Sequence, residues 1–277
     1  MVATIKKTTK FRDLLAGGTV VMPGVFNAIS AKLVEEAGFS AYYISGAGLA
    51  NAEFALPDIG VPTLEQAAEH GRRIDAAVNI PGISDVDTAF ADPAACGKVF
   101  AATGLAGIHL EDQIEQKKCG HLDGKQLVSI EEMSERVAAV KSAAQDDDFM
   151  IIARTDAKAV EGLDAAIARC KAYVAAGADA IFPEAMQSAE DFQAMRKALD
   201  VPLLANMTEF GKTPYLTVQQ FENLGYNMVI FPMTMFRVAA GAMRKTLAEL
   251  KTTGTQQGFM DQMQTRDELY KLLNYQP

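Results

Sequence analysis

Short apolar segments that resemble β-strands alternate with alanine-rich segments that resemble helices along the whole chain. Eight strand candidates begin at residues 19, 41, 82, 107, 150, 180, 202 and 227. Eight β-then-α units in 277 residues are typical of a (β/α)8 barrel. An open, doubly wound sheet is the alternative, although it would not naturally use eight strands at such even spacing. The sequence therefore predicts one α/β domain over residues 1–277, a TIM-type (β/α)8 barrel.

Residues typical of helix starts lie between the strand candidates. A serine or threonine three residues before a glutamate or glutamine fits the capping box, and a proline directly after an aspartate fits a first helical turn. The examples are Thr63 with Gln66, Ser129 with Glu132, Thr217 with Gln220, and Asp92 with Pro93. These signals predict helices after loops, as a barrel of this kind requires.

The charge and the cysteines of the chain limit its partners and its compartment. A formal charge of −9 and a pI near 4.9 argue against binding to nucleic acid or anionic membranes, because both attract clustered positive charge. No apolar run approaches transmembrane length, and the N-terminal segment does not resemble a signal peptide. Three widely spaced cysteines, Cys96, Cys119 and Cys170, argue against a disulfide framework. We therefore expect a cytoplasmic protein whose partner is a small molecule.

Polar residues follow most of the strand candidates at the point where each strand ends. They are Ser45, Asp85, Asp87, Glu111, Arg154, Glu184 and Asn206. The active sites of (β/α)8 barrels lie at the C-terminal ends of the strands, so these side chains should face one another across the mouth of the barrel. The pattern predicts an active site there. For single residues a structural role stays open: Arg154 as a buried ion pair and Asn206 as a strand-end cap.

Two carboxylates at the end of the third strand suggest a metal site. Asp85 and Asp87 are two residues apart, which places them on the same face of a strand. Two such charges raise at least one pKa unless a cation lies beside them, and oxygen ligands suit Mg²⁺ or Mn²⁺ better than Zn²⁺. A solvated strand end is the alternative. With Glu111 nearby and Glu184 across the barrel, we prefer the metal.

The segment GIHLEDQIEQKKCGHLDGK, residues 107–125, ends in a long loop that surrounds a thiol with basic groups. Lys117, Lys118 and His121 flank Cys119 and should favour its thiolate form, which suits proton transfer near neutral pH. A long loop at this position is typical of a lid. A zinc site is disfavoured, because no second ligand pair has suitable spacing. Cys96 and Cys170 lie in alanine-rich helices and are predicted to be packing residues.

Several motifs together resemble a known group of enzymes. SGAG, DVD, EDQ followed by KKCGH, ARTDA, and the tail GTQQGFMDQMQTRDELYKLLNY are similar to motifs of the isocitrate lyase and phosphoenolpyruvate mutase superfamily. The likeness extends over essentially the whole chain. It is greatest to the 2-methylisocitrate lyases of the carbon–carbon lyase branch, since mutases carry other residues where Cys119, Gly120 and His121 stand. True isocitrate lyases share the loop motif but are much longer.

The resemblance implies an activity and a set of site residues. Such lyases cleave (2R,3S)-2-methylisocitrate to pyruvate and succinate in the methylcitrate cycle of propionate catabolism. Mg²⁺, or Mn²⁺ in its place, would be held by Asp58, Asp85, Asp87 and Glu111. The substrate would be bound by Ser45, Gly46, Ala47, Gly120, Arg154, Glu184, Asn206, Thr208, Arg237 and Arg266. The catalytic residues would be Cys119, Lys117, His121, Glu184 and Arg154. The tail over residues 255–277 would be helical and pack on a neighbouring subunit in a homotetramer built as a dimer of dimers.

Other interpretations stay open. A 2,3-dimethylmalate lyase or an oxaloacetate hydrolase would share the metal and the loop but would leave Arg237 and Arg266 without a third carboxylate to bind. A non-catalytic barrel that binds organic acids is a further alternative. Asp156 is interpreted as structural, and Phe182 and Ile230 are candidates for the pocket that accepts the methyl group of the substrate. Arg237 and Arg266 could equally be solvated helix residues.

Overall fold

The computed structural model describes residues 5–118 and 120–276, and each strand candidate of the sequence contains a strand. The strands are β1 (Val20–Val25), β2 (Tyr42–Ile44), β3 (Gly82–Asp85), β4 (Gly107–Glu111), β5 (Met150–Thr155), β6 (Ala180–Pro183), β7 (Leu204–Asn206) and β8 (Met228–Phe231). They form one parallel sheet in the order β6-β5-β4-β3-β2-β1-β8-β7. The edge strands β6 and β7 are joined by a parallel bridge between Ile181 and Leu203. The predicted (β/α)8 barrel is confirmed.

The helices lie between the strands and around the barrel. They are α1 (Lys7–Gly17), α2 (Ala28–Glu36), α3 (Gly46–Phe54), α4 (Leu64–Asp75), α5 (Pro93–Ala101), α6 (Ile130–Ala144), α7 (Leu163–Ala175), α8 (Ala189–Ala198), α9 (Val218–Asn223), α10 (Thr234–Thr253) and α11 (Arg266–Leu272), with short 3₁₀ helices at Ala157–Ala159 and Gln257–Gln262. Thr63 and Thr217 form complete capping boxes at the starts of α4 and α9. Ser129 and Asp92 accept N-terminal amides of α6 and α5. All four predicted helix starts are confirmed.

The barrel is closed at its N-terminal end by helix α1. Phe11 of α1 is fully buried against the side chains that fill the barrel interior, among them Met22, Ile83 and Met228. Lys7 of α1 donates three hydrogen bonds to the far end of α4 and the residues after it. A filled N-terminal end leaves the C-terminal mouth as the open end of the barrel, where the sequence predicts the site.

A larger core fills the space between the sheet and the helices. Cys96 of α5 and Cys170 of α7 are fully buried there. Burial raises the pKa of Cys96 to about 12 and that of Cys170 further. Both thiols are therefore protonated packing groups, as predicted.

Helix α10 and the tail behave differently from the rest of the chain. None of the twenty residues of α10 is buried, and Val238, Met243 and Leu247 are more than half exposed. After it, Phe259 and Leu272 are buried within the chain, and α11 contacts α2. The tail does contain helices, while its packing on a neighbouring subunit stays a prediction. Within the described residues no helix is both long and apolar enough to cross a membrane.

Candidate active site

A cavity of about 200 Å³ opens at the C-terminal mouth of the barrel and is lined by most of the predicted site residues. The predicted residues that line it are Ser45, Ala47, Asp58, Asp85, Gly120, His121, Arg154, Glu184, Asn206, Thr208 and Arg237, together with Phe182 and Ile230. Arg266 is not among them, since it is exposed and begins α11. Cys119 lies outside the described residues. Most of the residues that the sequence predicts for the site therefore lie together around one cavity.

A buried lysine lies among the predicted metal ligands. Lys117 Nζ is 2.8 Å from Asp58 Oδ1 and also contacts Asp87, and its side chain is only 3% exposed. Burial lowers the pKa of Lys117, but Asp87 and Glu111 outweigh burial and hold that pKa well above its usual value. The ammonium therefore carries a permanent positive charge. It neutralises part of the carboxylate cluster from within.

The two aspartates of DVD reach the cluster in different ways. Strand β3 ends at Asp85, and Asp87 lies beyond it with a left-handed backbone, φ +52°. The expectation that both lie on one strand face was therefore wrong. Asp85 accepts hydrogen bonds from the Asp87 N–H at 2.9 Å and the Gly46 N–H at 3.2 Å. Left-handed backbone at a non-glycine residue costs energy and is often found at functional sites.

The two carboxylates have opposite pKa shifts. Burial raises the pKa of Asp87 to about 6, since Lys117 offsets burial only in part and Asp85 adds repulsion. For Asp85 the effect of burial is outweighed by His109, Lys117 and Arg154, so its pKa falls to about 2. The pair therefore holds a negative charge on Asp85, with Asp87 the carboxylate that accepts a proton first.

The carboxylates fit a hard divalent cation. Glu111 is fully buried, its Oε2 lies 3.1 Å from Arg154 Nη1, and its Oε1 has no hydrogen-bond partner among the described residues. A Cβ added at Gly46 would lie 3.0 Å from Asp85 and 3.2 Å from Asp87, so only glycine leaves these oxygens uncrowded. In residues 5–118 and 120–276 no three His, Cys, Asp or Glu side chains are already arranged as a metal site. The carboxylate oxygens are ligands that suit Mg²⁺. In this structure Lys117 compensates part of their negative charge.

Arg154 connects three carboxylates at the floor of the cavity. It donates to Asp156 through Nε at 3.0 Å and Nη2 at 3.2 Å, and its Nη1 lies 3.7 Å from Glu184. The guanidinium also lies over the ring of Phe182, 5.3 Å from its centroid. Arg154 thus has the ion pairs of a structural residue and the position of a ligand-binding one. It faces the cavity with its charge already held in place.

His121 and Asn206 fix the orientation of Glu184. His121 Nε2 lies 3.0 Å from Glu184 Oε1, and Asn206 donates to Oε2 at 3.1 Å. The Lys212 N–H donates to His121 Nδ1 at 2.9 Å, which assigns the ring proton to Nε2 when the imidazole is neutral. Burial raises the pKa of Glu184, but Arg154 and His121 outweigh it and bring that pKa to about 2. Glu184 is therefore an ionised acceptor at the cavity wall.

Gly120 is packed too closely for any side chain. An added Cβ would lie 2.3 Å from Arg154 Nη2 and 2.6 Å from Glu184 Cγ. The loop that carries KKCGH is therefore seated directly on Arg154 and Glu184 at this residue. Lys118, on the other side of position 119, is exposed.

Tyr43 and His109 are among the residues of the site that were not predicted. Tyr43 lines the cavity, and its hydroxyl is 2.6 Å from His109 Nε2, which lies 3.7 Å from Asp85. Burial lowers the pKa of His109 to about 4, so this histidine is neutral near pH 7. A signal was present, because Tyr43 and His109 stand two residues before Ser45 and Glu111, on the same strand faces.

The two later arginines differ in position. Arg237 lines the cavity, pairs with Glu209 at 3.4 Å and lies over Phe210, and its side chain is 45% exposed. Arg266 does not line the cavity. Of the three arginines predicted to bind the substrate, Arg154 and Arg237 therefore line the cavity of one chain.

Comparisons with known proteins agree with this architecture. A family model described as phosphoenolpyruvate phosphomutase matches residues 11–251. The chain is 46% identical to a probable 2-methylisocitrate lyase of Corynebacterium glutamicum, covering 99% of this chain and 90% of that protein. It is 44% identical to the 2-methylisocitrate lyase of Bacillus subtilis, covering 96% and 89%. It is 43% identical to that of Escherichia coli, covering 91% and 86%.

Solved structures extend the similarity to the arrangement of the fold. A 2,3-dimethylmalate lyase superposes with a TM-score of 0.92 at 33% identity, covering 98% of this chain and 92% of that one. An oxaloacetate acetylhydrolase gives 0.92 at 33% identity, covering 97% and 93%. A phosphonopyruvate hydrolase in complex with oxalate and Mg²⁺ gives 0.87 at 30% identity, covering 98% and 95%. The chain therefore belongs to the phosphoenolpyruvate phosphomutase family of the isocitrate lyase/phosphoenolpyruvate mutase superfamily and is similar over nearly its whole length to 2-methylisocitrate lyases.

Proposed function

We propose that this protein is a carbon–carbon lyase that cleaves (2R,3S)-2-methylisocitrate to pyruvate and succinate. The observation that carries the proposal is the cavity itself: Asp58, Asp85, Arg154 and Glu184 line it in a chain that is 46% identical to a probable 2-methylisocitrate lyase. The reaction would serve propionate catabolism through the methylcitrate cycle. A cytoplasmic homotetramer, a dimer of dimers, is part of the same proposal.

We propose Mg²⁺, with Mn²⁺ as a substitute, as the metal of the site. Asp85 and Asp87 would hold it, with Asp58 and Glu111 contributing through water. When bound, the ion supplies a Lewis acid that stabilises negative charge on substrate oxygens. A superfamily relative was solved with Mg²⁺, and the oxygen donors of this cluster suit the same ion.

The protein residues bind the substrate and move its protons. Arg154 offers guanidinium N–H donors to a substrate carboxylate, and Asn206 and Thr208 line the same wall. Ser45, with the backbone of Gly46 and Ala47, and Gly120 complete the contacts. Asp58, a carboxylate that lines the cavity, accepts the proton of the C2 hydroxyl as C2 becomes the carbonyl carbon of pyruvate. Cleavage of the C2–C3 bond leaves its electron pair on the succinate carbon as an enediolate. Cys119 donates a proton to that carbon, while Lys117 and His121 stabilise charge and the loop excludes water.

A second candidate has a specific observation in its favour. Arg266 does not line the cavity and Arg237 is paired with Glu209, so within the described residues these two arginines offer no unpaired guanidinium to a third carboxylate. A dicarboxylate such as 2,3-dimethylmalate or oxaloacetate would need none. If a neighbouring subunit places its Arg266 at this cavity, the third carboxylate of a tricarboxylate would have a partner. In that case the tricarboxylate 2-methylisocitrate is favoured.

A pyruvate-release assay tests the proposal. The purified protein is offered 2-methylisocitrate, isocitrate, 2,3-dimethylmalate and oxaloacetate separately, with Mg²⁺ and with a chelator, and pyruvate, glyoxylate and oxalate are measured. We expect chelator-sensitive turnover of 2-methylisocitrate that is lost in Cys119→Ser. Preference for another acid would move the assignment to a related lyase or hydrolase. No turnover of any of the four would favour a protein that only binds organic acids.

A further inference from the structure

Asp156 is the meeting point of two separate parts of the candidate site. It is fully buried and accepts two hydrogen bonds from Arg154, at 3.0 and 3.2 Å. Lys125 Nζ lies 2.8 Å from the same carboxylate, and Gln113 Nε2 donates to it at 3.3 Å. One carboxylate thus binds a cavity-lining guanidinium and two side chains of the KKCGH loop.

The two loop side chains hold the backbone on both sides of position 119. Gln113 accepts a hydrogen bond from the Lys118 N–H at 3.0 Å and donates to the Lys118 carbonyl at 2.9 Å. Lys125 Nζ donates to the Gly120 carbonyl. These contacts fix Lys118 and Gly120 from within the protein. Both Gln113 and Lys125 are at least 94% buried, so solvent competes little for their hydrogen bonds.

Asp156 is also held in place through its backbone. The Asp156 N–H donates to Asp112 Oδ1 at 2.9 Å. Asp112 also accepts hydroxyl hydrogen bonds from Thr155 at 2.6 Å and Tyr173 at 2.8 Å. Asp112 is fully buried, so the whole arrangement is rigidly packed on β5 and α7. A rigid support of this kind preserves the geometry of a catalytic group to within a fraction of an ångström.

We propose that Gln113, Lys125 and Asp156 are positioning residues that set the segment on either side of position 119 against Arg154. The inference rests on the proposed function, in which that segment carries the proton donor. The seating of the loop and the orientation of Arg154 then depend on the same carboxylate, that of Asp156. Asp156 is therefore more than the structural residue that its sequence suggests.

Two variants separate the loop from Arg154. Lys125→Met and Gln113→Leu each remove one tether but leave both hydrogen bonds between Arg154 and Asp156. We therefore expect kcat to fall by about tenfold to a hundredfold while KM changes by less than about threefold, because misplacement of a reacting group lowers the rate more than binding. The matched controls are Gln126→Leu and Gln116→Leu, which alter exposed residues of the same loop and should keep wild-type kcat.

Hydrogen exchange supplies a readout that does not depend on turnover. In the wild type the Lys118 amide is protected by Gln113, so peptides spanning residues 113–127 should exchange slowly. We expect exchange there to be about tenfold faster or more in Lys125→Met and Gln113→Leu, with no change in peptides of β5 and α7. The controls should exchange like the wild type.

The outcomes decide between positioning and a general effect on folding. Unchanged hydrogen exchange over residues 113–127 in both variants would contradict the positioning role. Faster exchange combined with wild-type kcat would contradict it as well. Faster exchange through the whole chain, or equal loss in the controls, overturns it as well. In the Gln113→Leu/Lys125→Met double variant, losses in kcat smaller than the product of the single losses support a shared anchor, and multiplicative losses overturn it. If the wild type has no turnover, the proposed function is contradicted. The hydrogen-exchange data then still test whether Gln113 and Lys125 hold the loop in place.

Discussion

Gly120 shows how a single residue can fix the loop over the cavity. The shortest distances from an added Cβ run to Arg154 and Glu184, two side chains that are themselves held by ion pairs. Neither can move aside without breaking those contacts. A methyl group at position 120 must therefore lift the loop or displace the wall of the cavity.

We predict that Gly120→Ala lowers kcat/KM by about a hundredfold, because a displacement of this size at a site costs roughly that much in rate. Steady-state kinetics with the preferred substrate measures the loss. Gly17→Ala is the matched control, since an added Cβ there meets nothing within 4 Å. Equal activities of the two variants would show that the loop is not seated on Arg154 in the working enzyme.

His109 predicts a pH dependence of stability. Its folded pKa is about 4, against 6.5 for the ordinary side chain, because burial disfavours the charged form. The unfolded chain therefore binds the proton more readily, and stability is lost as pH falls from 6.5 towards 4. The loss is up to roughly 3 kcal/mol. In chelator, thermal unfolding of His109→Gln should depend less on pH over this window than that of the wild type, and parallel curves would contradict the assignment.

Residue-level prediction from sequence found the groups at strand ends but not their partners. Asp85, Arg154 and Glu184 were accessible because a barrel places strand ends together. The left-handed backbone of Asp87 has no signature in the letters DVD. Asp156 was underestimated because its role depends on two contacts made by a loop some thirty to forty residues earlier, which no local pattern encodes.

At the scale of elements, helix α1 closes the N-terminal end of the barrel through hydrogen bonds and an ion pair as well as apolar contacts. Lys7 Nζ donates to Asp75 Oδ1 at 2.7 Å and to the carbonyls of Asp75 and Val78 at 2.8 Å each. Tyr42 donates to the same carboxylate at 3.2 Å. The Asp75 side chain is 11% exposed, so removal of Lys7 would leave a mostly buried charge short of its main partner.

We predict that Lys7→Met lowers the free energy of unfolding by about 2 kcal/mol, since charge-assisted hydrogen bonds at part-buried sites contribute of this order. Urea unfolding followed by far-UV circular dichroism measures it. Lys10→Met should have little effect, because Lys10 makes one exposed hydrogen bond to Asn79 at 3.2 Å. Activity at 25 °C should be unchanged in both, as α1 closes the end of the barrel opposite the cavity.

The strands and helix starts were predictable because their signals are local. Apolar segments and capping residues depend only on neighbours within a few positions, and all eight strands and all four helix starts appeared where expected. The closure of α1 over the barrel was not predicted. Phe11 and Lys7 meet residues that are far away in the chain, and such pairings need the fold itself.

At the scale of the whole molecule, helix α10 has no buried residue within a single subunit. Its apolar residues Val238, Met243 and Leu247 are more than half exposed. Together with the absence of Arg266 from the cavity lining of one chain, this supports an assembly in which subunits complete one another.

We predict that the protein sediments as a tetramer and that Leu247→Glu shifts it towards smaller species, because a buried charge in an apolar interface is costly. Sedimentation velocity over a range of concentrations measures both. Lys251→Glu, which also places a carboxylate on α10, is the control and should leave assembly nearly unchanged. A monomeric wild type would contradict the prediction.

The position of Lys117 also bears on the proposed metal site in the absence of its ion. An ammonium already lies between Asp58 and Asp87, so the carboxylates do not repel one another unopposed when the divalent ion is absent. The ammonium then acts as a built-in counter-ion, and we expect the barrel to fold without a divalent ion. If the protein uses Mg²⁺ as proposed, loss of the ion would inactivate it reversibly, leaving a folded apoprotein that regains activity when the metal returns.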